Sequence, residues 1–446
     1  MLSSRREAAF GYIFGALFGV ALLSISGCAP EPSDPSDVQL KPASVNEDGS
    51  ALFELDLEER TELEDSCRAG RASACALAGA WHQFAARRAG EAGRSAERRA
   101  AATAKPWYER ACGGKSPIGC NNLGVLYQRG LGVRRDVRHA FDCFRRACDL
   151  GAPLGCRNLA LMHEVGHGTE RSDERAAALY TVACERGLGR ACADLAALVA
   201  DGRGVERDPQ RAFELAERGC DDGDLPSCGQ LAWFYQIGAG VERDEAHALS
   251  IYEEVCEAGN WSTCVNLGWL LVEGRDVAHD PERARRLFED ACEQGRAKGC
   301  GNLGTLYDRG LGVARDPERA AALYVRACDR GDPGACSNLG AILLVGRDDI
   351  AAEPRRGLDL VQFACERGFW GGCINWGYAL LRGIGGRKDS GAAAQLFKRA
   401  CDAGVGRGCF NLAALAEQNL YGGPNRAKLL HDRACRLGFL PACSRR

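Results

Sequence analysis

From Cys112 onward the apolar residues fall into a pattern that returns every 36 positions, with successive cysteine pairs in step as far as Cys328. The segments "CNNLGVLYQRGLGV" from Cys120, "CRNLALMHEVGHGT" from Cys156 and "CGNLGTLYDRGLGV" from Cys300 place apolar residues three, six and seven positions past the cysteine. That spacing lays a stripe along one side of an α-helix. The stripe closes on a glycine, Gly130, Gly202 or Gly310, which predicts the end of a first helix, helix A. A polar stretch follows, "RDPQRA", "HDPERA" or "RDPERA", in which Asp208, Asp280 and Asp316 suit an N-cap and Pro209, Pro281 and Pro317 suit the first helical position. Helix B then runs through patterns such as "AALYVRAC" to a cysteine, and a glycine three residues on, such as Gly331, ends it.

Each unit is therefore a helical hairpin of about 36 residues, too small to bury both apolar faces alone, so neighbours must stack and share a core. The expectation is an all-α solenoid of about ten hairpin repeats.

Composition adds a second constraint. The 446 residues include 24 Cys and 56 Gly but only 2 Met, a bias toward small and crosslinkable side chains. Eleven cysteine pairs share the spacing C-x7-C: Cys67 and Cys75, Cys112 and Cys120, Cys148 and Cys156, Cys184 and Cys192, Cys220 and Cys228, Cys256 and Cys264, Cys292 and Cys300, Cys328 and Cys336, Cys365 and Cys373, Cys401 and Cys409, Cys435 and Cys443. In the repeat register the first of each pair ends helix B and the second starts the next helix A. They flank a tight turn, which favours one disulfide per repeat. Each closes a short loop and contributes on the order of 2–3 kcal/mol in the chain-entropy model. Structural zinc is disfavoured, because four ligands are needed and stacking sets adjacent pairs far apart. No C-x-x-C occurs to support a redox enzyme. The odd cysteine of the repeat region, Cys143, aligns with Leu179, Leu215, Ile251, Leu287 and Leu323 and reads as a buried thiol replacing an aliphatic residue.

At the N-terminus, Arg5 and Arg6 precede an uncharged run from Phe10 to Ile25 that ends in "ISGC", the outline of a secretory signal. Its end resembles a bacterial lipobox, in which Cys28 becomes the lipidated first residue of the mature chain. The same stretch also fits an uncleaved anchor, with Gly11, Gly15 and Gly19 forming a small-residue ridge. Both readings put the repeats outside the cytoplasm, where disulfides persist. The expected division is a signal at residues 1–27, a Pro-rich acidic tether at 28–54 and the solenoid at 55–446. Glu31 to Asp65 carries 12 acids and 2 bases, which leaves about +6 on residues 66–446. An even, modest surplus of arginine is expected there, with no nucleic-acid partner.

"MHEVGHG" contains H-E-x-x-H, the zinc-protease pattern, which needs His163 and His167 on one unbroken helix. In the repeat register Gly166 takes the place of the helix terminators Gly130 and Gly310, so His167 lies beyond the helix and no zinc site is expected. No Lys has a Ser three residues before it, and no two His are two apart, so neither S-x-x-K nor H-x-H chemistry is supported. No cofactor is expected, and no catalytic residue is assigned.

The recurring "NLGxLYxxGxGVxxDxxxAxxLYxxACxxG" with paired cysteines, from about Asp65 to Arg446, resembles the Sel-one-like repeats, cousins of the tetratricopeptide repeat, and more narrowly the Helicobacter cysteine-rich protein family. The resemblance implies right-handed superhelices whose disulfides join helix B to the next helix A. It also brings a penicillin-binding and β-lactamase label. Two units depart from the pattern: "RRAGEAGRSAERRAAATAKP" replaces the ordinary turn after Cys75 with nine extra residues, and the unit after Cys409 is two residues short. Both read as capping repeats.

Positions one, five, eight and nine past the cysteine vary most between repeats, and in related solenoids that face lines the concave side. Here it includes Trp233, Trp269, Tyr378, Arg129, Arg309 and Arg382, residue types enriched at binding hot spots. Packing of the two tryptophans against the next helix A is the competing reading. The asparagine two residues past the cysteine, Asn122, Asn158, Asn266, Asn302, Asn338, Asn375 and Asn411, either satisfies a neighbouring turn, the favoured reading, or forms a ladder for an extended peptide. Trp261, Phe369 and Trp370 fall in the C-x7-C turns, as a second contact surface or as packing on the disulfide.

The functional expectation is a lipid-anchored scaffold that binds a protein segment or a cell-envelope component on its concave face, with a membrane contact through Cys28. The competing expectations are a β-lactam-binding or slowly hydrolysing protein, as the resemblance implies, and a secreted effector without a retained anchor.

Overall fold

A computed structural model describes residues 57–88 and 93–444. The readings on residues 1–54, including the signal, Cys28 and the tether, lie outside them. Twenty-two helices follow one another along the described residues, and they cluster into two units.

The first unit holds α1 (Leu57–Arg68), α2 (Ala72–Arg88), α3 (Arg94–Gly113), α4 (Pro117–Arg129), α5 (Val137–Asp149), α6 (Pro153–Val165), α7 (Asp173–Glu185), α8 (Gly189–Asp201), α9 (Pro209–Asp221) and α10 (Leu225–Ile237) as far as Phe234. The second takes the end of α10 with α11 (Glu245–Glu257), α12 (Trp261–Glu273), α13 (Pro281–Glu293), α14 (Ala297–Arg309), α15 (Pro317–Asp329), α16 (Pro333–Val345), α17 (Pro354–Glu366), α18 (Trp370–Arg382), α19 (Ser390–Asp402), α20 (Gly406–Glu417), α21 (Gly423–Arg436) and α22 (Leu440–Cys443). Even-numbered helices from α2 to α20 are helices A, and odd-numbered ones are helices B. From α1 to α9 and again from α11 to α22 each helix packs on its neighbours in the chain, which is the stacking of a solenoid.

The predicted caps are in place. Asp208, Asp280 and Asp316 each accept a backbone N–H three residues on, from Arg211, Arg283 and Arg319 at 2.8–3.0 Å. All eleven C-x7-C pairs are disulfides, with Cα atoms 4.4–4.9 Å apart. Each bond ties the last turn of a helix B to the first turn of the next helix A. Cys143 is the free cysteine of the described residues, buried in a cluster with Tyr108, Leu123, Leu126 and the Cys112–Cys120 disulfide.

Inside each hairpin a large residue of helix B lies under a small residue of helix A. Tyr108, Phe144, Tyr180, Tyr252, Phe288, Tyr324 and Phe397 occupy one register of helix B and are fully buried. A Cβ placed on Gly124 would stand 2.6 Å from Phe144 Cε1, and one on Gly268 2.5 Å from Phe288 Cε1. This contact is the physical content of the recurring "NLG". Two repeats lack the ring, carrying Ala216 and Val361 instead, and the volume returns from helix A. Phe234 replaces the usual aliphatic residue, is fully buried, and meets Phe213 edge-on. Trp376 replaces a leucine and packs with Val361 in one cluster.

The extra residues after Cys75 do not form a longer turn as expected. They lengthen α2 and α3 to 17 and 20 residues, where the ordinary helix has 13. "AERRAAATA" is rich in strong helix formers, so the added residues continue the helix. At the other end α22 is a four-residue stub.

Candidate functional site

The binding candidates lie on helix A. Asn375, Tyr378 and Arg382 are spaced i, i+3, i+7 on α18 and therefore share one face. Tyr378 is 45% exposed, and the Arg382 guanidinium carbon lies 5.0 Å from its ring centroid, a cation–π pair at a solvent-facing site. Asn302, Thr305 and Arg309 repeat the stripe on α14, Asn266, Trp269 and Glu273 on α12, and Asn122, Val125 and Arg129 on α4. Arg129 and Arg309 are exposed and in no ion pair among the described residues. Trp233 and Trp269 are half-buried; Trp269 meets Phe288 of its own hairpin at 5.6 Å, and Trp233 meets its neighbour Phe234 at 5.3 Å. Their recorded ring contacts are thus within their own hairpins, in place of the next helix A. The structure brings Tyr378 and Arg382 together; the other candidates occupy equivalent places on separate helices.

Four of the seven asparagines, Asn122, Asn158, Asn338 and Asn375, bond to a neighbouring helix and not to a turn. Asn158 Nδ2 donates to Asn121 Oδ1 of the preceding helix A at 2.8 Å, and Asn375 Nδ2 donates to Ser337 Oγ at 3.1 Å. Asn122 and Asn338 bond the hydroxyls of the buried Tyr108 and Tyr324. At the same register Arg157 Nε donates to Asp194 Oδ2 at 2.6 Å, with both side chains largely buried. The position two residues past the cysteine is therefore, in these repeats, a seam between a helix A and the helices before it. Sequence reading missed this seam because its bonds between helices A join residues 37 or 38 positions apart; the signal was a polar residue recurring beside the stripe.

A second network went unseen. Arg203 binds Asp173 through two nitrogens, at 2.9 and 3.3 Å, and Glu164 at 3.0 Å, while Tyr180 donates to Glu164 at 2.8 Å. Burial works against the charged Asp173, but the Arg203 hydrogen bond and charge outweigh it and hold its carboxyl below the ordinary range.

His163 lies in the last turn of α6, buried and edge-on to Phe141, with burial pushing its imidazole below its ordinary value. Gly166 closes that helix in left-handed geometry, at φ 78°, and His167 follows it. Among the described residues no group of three His, Cys, Asp or Glu side chains is placed to hold a metal ion, and no helix is long and apolar enough to cross a membrane. Trp370 packs in one cluster with the Cys365–Cys373 disulfide.

The basic surplus is uneven, contrary to expectation. Residues 66–157 hold 17 Lys and Arg against 6 Asp and Glu, residues 158–369 hold 24 against 37, and residues 370–446 hold 12 against 4. The even distribution was an artefact of averaging over opposed blocks.

Comparison with known proteins bears on the family. No curated protein matches the chain. Among solved structures, it is similar to a protective antigen of uropathogenic Escherichia coli displaying an SLR fold, at 26% identity over 87% of this chain and 91% of that one, TM-score 0.43. A Sel1 repeat protein from Oxalobacter formigenes matches at 23% identity over 57% and 96%, TM-score 0.48. Helicobacter pylori cysteine rich protein B matches at 23% identity over 30% and 94%, TM-score 0.23. The Sel1 repeat model matches eight segments, residues 117–151, 153–188, 189–224, 226–260, 261–295, 297–332, 333–369 and 371–405, more than half of the chain. With its hairpin register, its caps and these eight matches, the chain belongs to the Sel1 repeat family.

Proposed function

We propose that this protein is a cell-envelope lipoprotein, anchored through Cys28, whose stapled repeats hold a protein segment or an envelope component on the stripe of helices A. The observation that carries the reading is the composition of that stripe. Nine successive helices A place Asn, Asp or Gln two residues past the cysteine, while the positions beside it vary and include Trp233, Trp269, Tyr378, Arg129, Arg309 and Arg382. The polar row is engaged in bonds between neighbouring helices and so fixes their spacing, and the variable aromatic and basic positions beside it are the ones left to meet a ligand. Disulfides at the junctions keep the row ordered within each unit before binding, so little conformational freedom is lost there when a ligand docks.

Capture from envelope extract tests it, comparing the intact protein with the Trp233→Ala/Trp269→Ala and Tyr378→Ala/Arg382→Ala variants. Loss of a specific partner in either variant, with helicity unchanged, supports the face; identical capture by all three rejects it. Turnover of a chromogenic cephalosporin that one point mutation abolishes would reassign the protein to β-lactam chemistry. Metabolic labelling with a fatty-acid analogue that leaves Cys28 unlabelled would remove the anchor.

A further inference from the structure

The first repeats carry an open cleft with two arginines on its rim. Gly130, Gly132, Val133 and Arg134 form one side of this shallow depression and Arg98 of α3 the other. The glycine side is fixed: a Cβ on Gly132 would stand 2.2 Å from the backbone nitrogen of Ala102, one turn along α3 from Arg98. Arg98 and Arg134 are exposed and in no ion pair among the described residues. The nearby acid Asp136 is engaged as an N-cap by the backbone N–H groups of Arg138 and His139. Glu97 precedes Arg98 in the first turn of α3, and the block around the cleft holds 17 Lys and Arg against 6 Asp and Glu.

The chain itself contains a segment of opposite sign. Residues 31–56 carry seven acids and one base, with Pro32, Pro35 and Pro42 among them. Topology brings its end to the right side of the stack. Every helix B starts at the edge where the A-to-B loops lie and ends at the disulfide edge. α1 carries Cys67 in its last turn and so has the helix B direction. Its first residue, Leu57, therefore lies on the loop edge, where Gly130–Arg134 forms the cleft. The cleft belongs to the second hairpin after α1, a span of a few interaxial distances of about 10 Å, while the segment reaches about 80 Å when extended.

We propose that the acidic segment Glu31–Asp56 of this chain seats across the Arg98–Arg134 cleft. The contact neutralises the basic first repeats and shortens the connection between Cys28 and the solenoid. It is separate from the helix A stripe, and neither reading depends on the other.

Zero-length crosslinking of the full chain tests it. In the Arg98→Lys/Arg134→Lys variant, which keeps both charges, a water-soluble carbodiimide joins only carboxylates and amines in contact. The expected product is a monomer with position 98 or 134 bonded to a carboxylate within 31–56. It should disappear in about 1 M salt, where the screening length falls to about 3 Å. Equal yields at Lys388 and Lys428, or products confined to dimers, would overturn the proposal. Phosphatidylglycerol vesicles supply the second arm: deletion of residues 31–54 should tighten vesicle binding by about tenfold by uncovering the arginines. If the full chain binds vesicles as well as the deleted form does, and Arg98→Glu/Arg134→Glu abolishes both, the cleft is a membrane-facing surface and the proposal fails.

Discussion

A Cβ on Gly204 would stand 2.2 Å from the carbonyl carbon of Asp173, the first residue of α7. This second glycine of the "GRGV" loop lets the A-to-B connection rest directly on the preceding helix B, and it does so at φ 66°. Gly187 has a similar φ, 81°, with open space around its Cβ position. Gly187→Ala therefore meets only the left-handed backbone cost, about 1–2 kcal/mol. Gly204→Ala adds a backbone clash and should cost about 3 kcal/mol or more. Denaturant unfolding of the two variants checks the difference, and equal losses would refute the close approach.

The compensation between Val361 and Trp376 should show in a double-mutant cycle. Trp376→Leu restores the leucine of other repeats but leaves the space over Val361 empty, at a cost of about 2–3 kcal/mol. Val361→Phe alone overpacks the site. Combined, they recreate the ordinary ring-under-glycine arrangement with Gly340, so the double variant should be more stable than the sum of the singles by about 1 kcal/mol or more. Additive losses would show that the two residues do not share the space.

The Arg203 network has a defined pH signature. Asp173 is held below its ordinary value of 3.8 in the folded protein, so its charged form contributes stability above that pH, and the contribution is lost as pH falls through the folded value. Arg203→Ala should cost about 1–2 kcal/mol at pH 7, a range reduced for the partial exposure of the pair. For Asp173→Asn, the gap to wild type should be full at neutral pH and close below about pH 3.8. A gap independent of pH would assign the effect to packing.

Removing one staple should act locally. Cys292→Ala/Cys300→Ala deletes the bond between α13 and α14 and should cost about 2–3 kcal/mol. In a nearest-neighbour stack the loss of hydrogen-exchange protection should centre on those helices and spread to their immediate neighbours. Uniform loss along the chain would contradict the repeat energetics.

Cys143 should be inert in the folded protein. Burial, reinforced by the neighbouring Asp142 charge, pushes its thiol up to about 11, so almost no thiolate exists at pH 8. Iodoacetamide should leave Cys143 unmodified until denaturant is added, as read by peptide mass mapping; rapid native labelling would place the thiol at the surface.

The hairpin, its caps and its staples were legible because each is a local consequence of spacing. Asp-Pro starts a helix, glycine ends one, and C-x7-C spans one tight turn. The displaced ring at Trp376 was visible only as an odd residue in a leucine column, since nothing in the sequence says which helix has lost volume. The asparagine row was read as a surface feature or a turn contact, because the partners of Asn158 and Asn375 lie a full repeat away.

The sequence by itself determined a stack of two-helix units, where each helix stops, and which cysteines pair, because those depend on interactions within about ten residues. The tertiary structure decided what the repeating polar positions do: Asn158 on Asn121, Arg157 on Asp194 and Arg203 between Glu164 and Asp173 join neighbouring hairpins. It also showed that the extra residues near the start lengthen helices and that Arg98 shares a cleft with Arg134. Those outcomes depend on which side chains stacking brings within hydrogen-bonding reach, a distance in space that spacing along the chain does not encode.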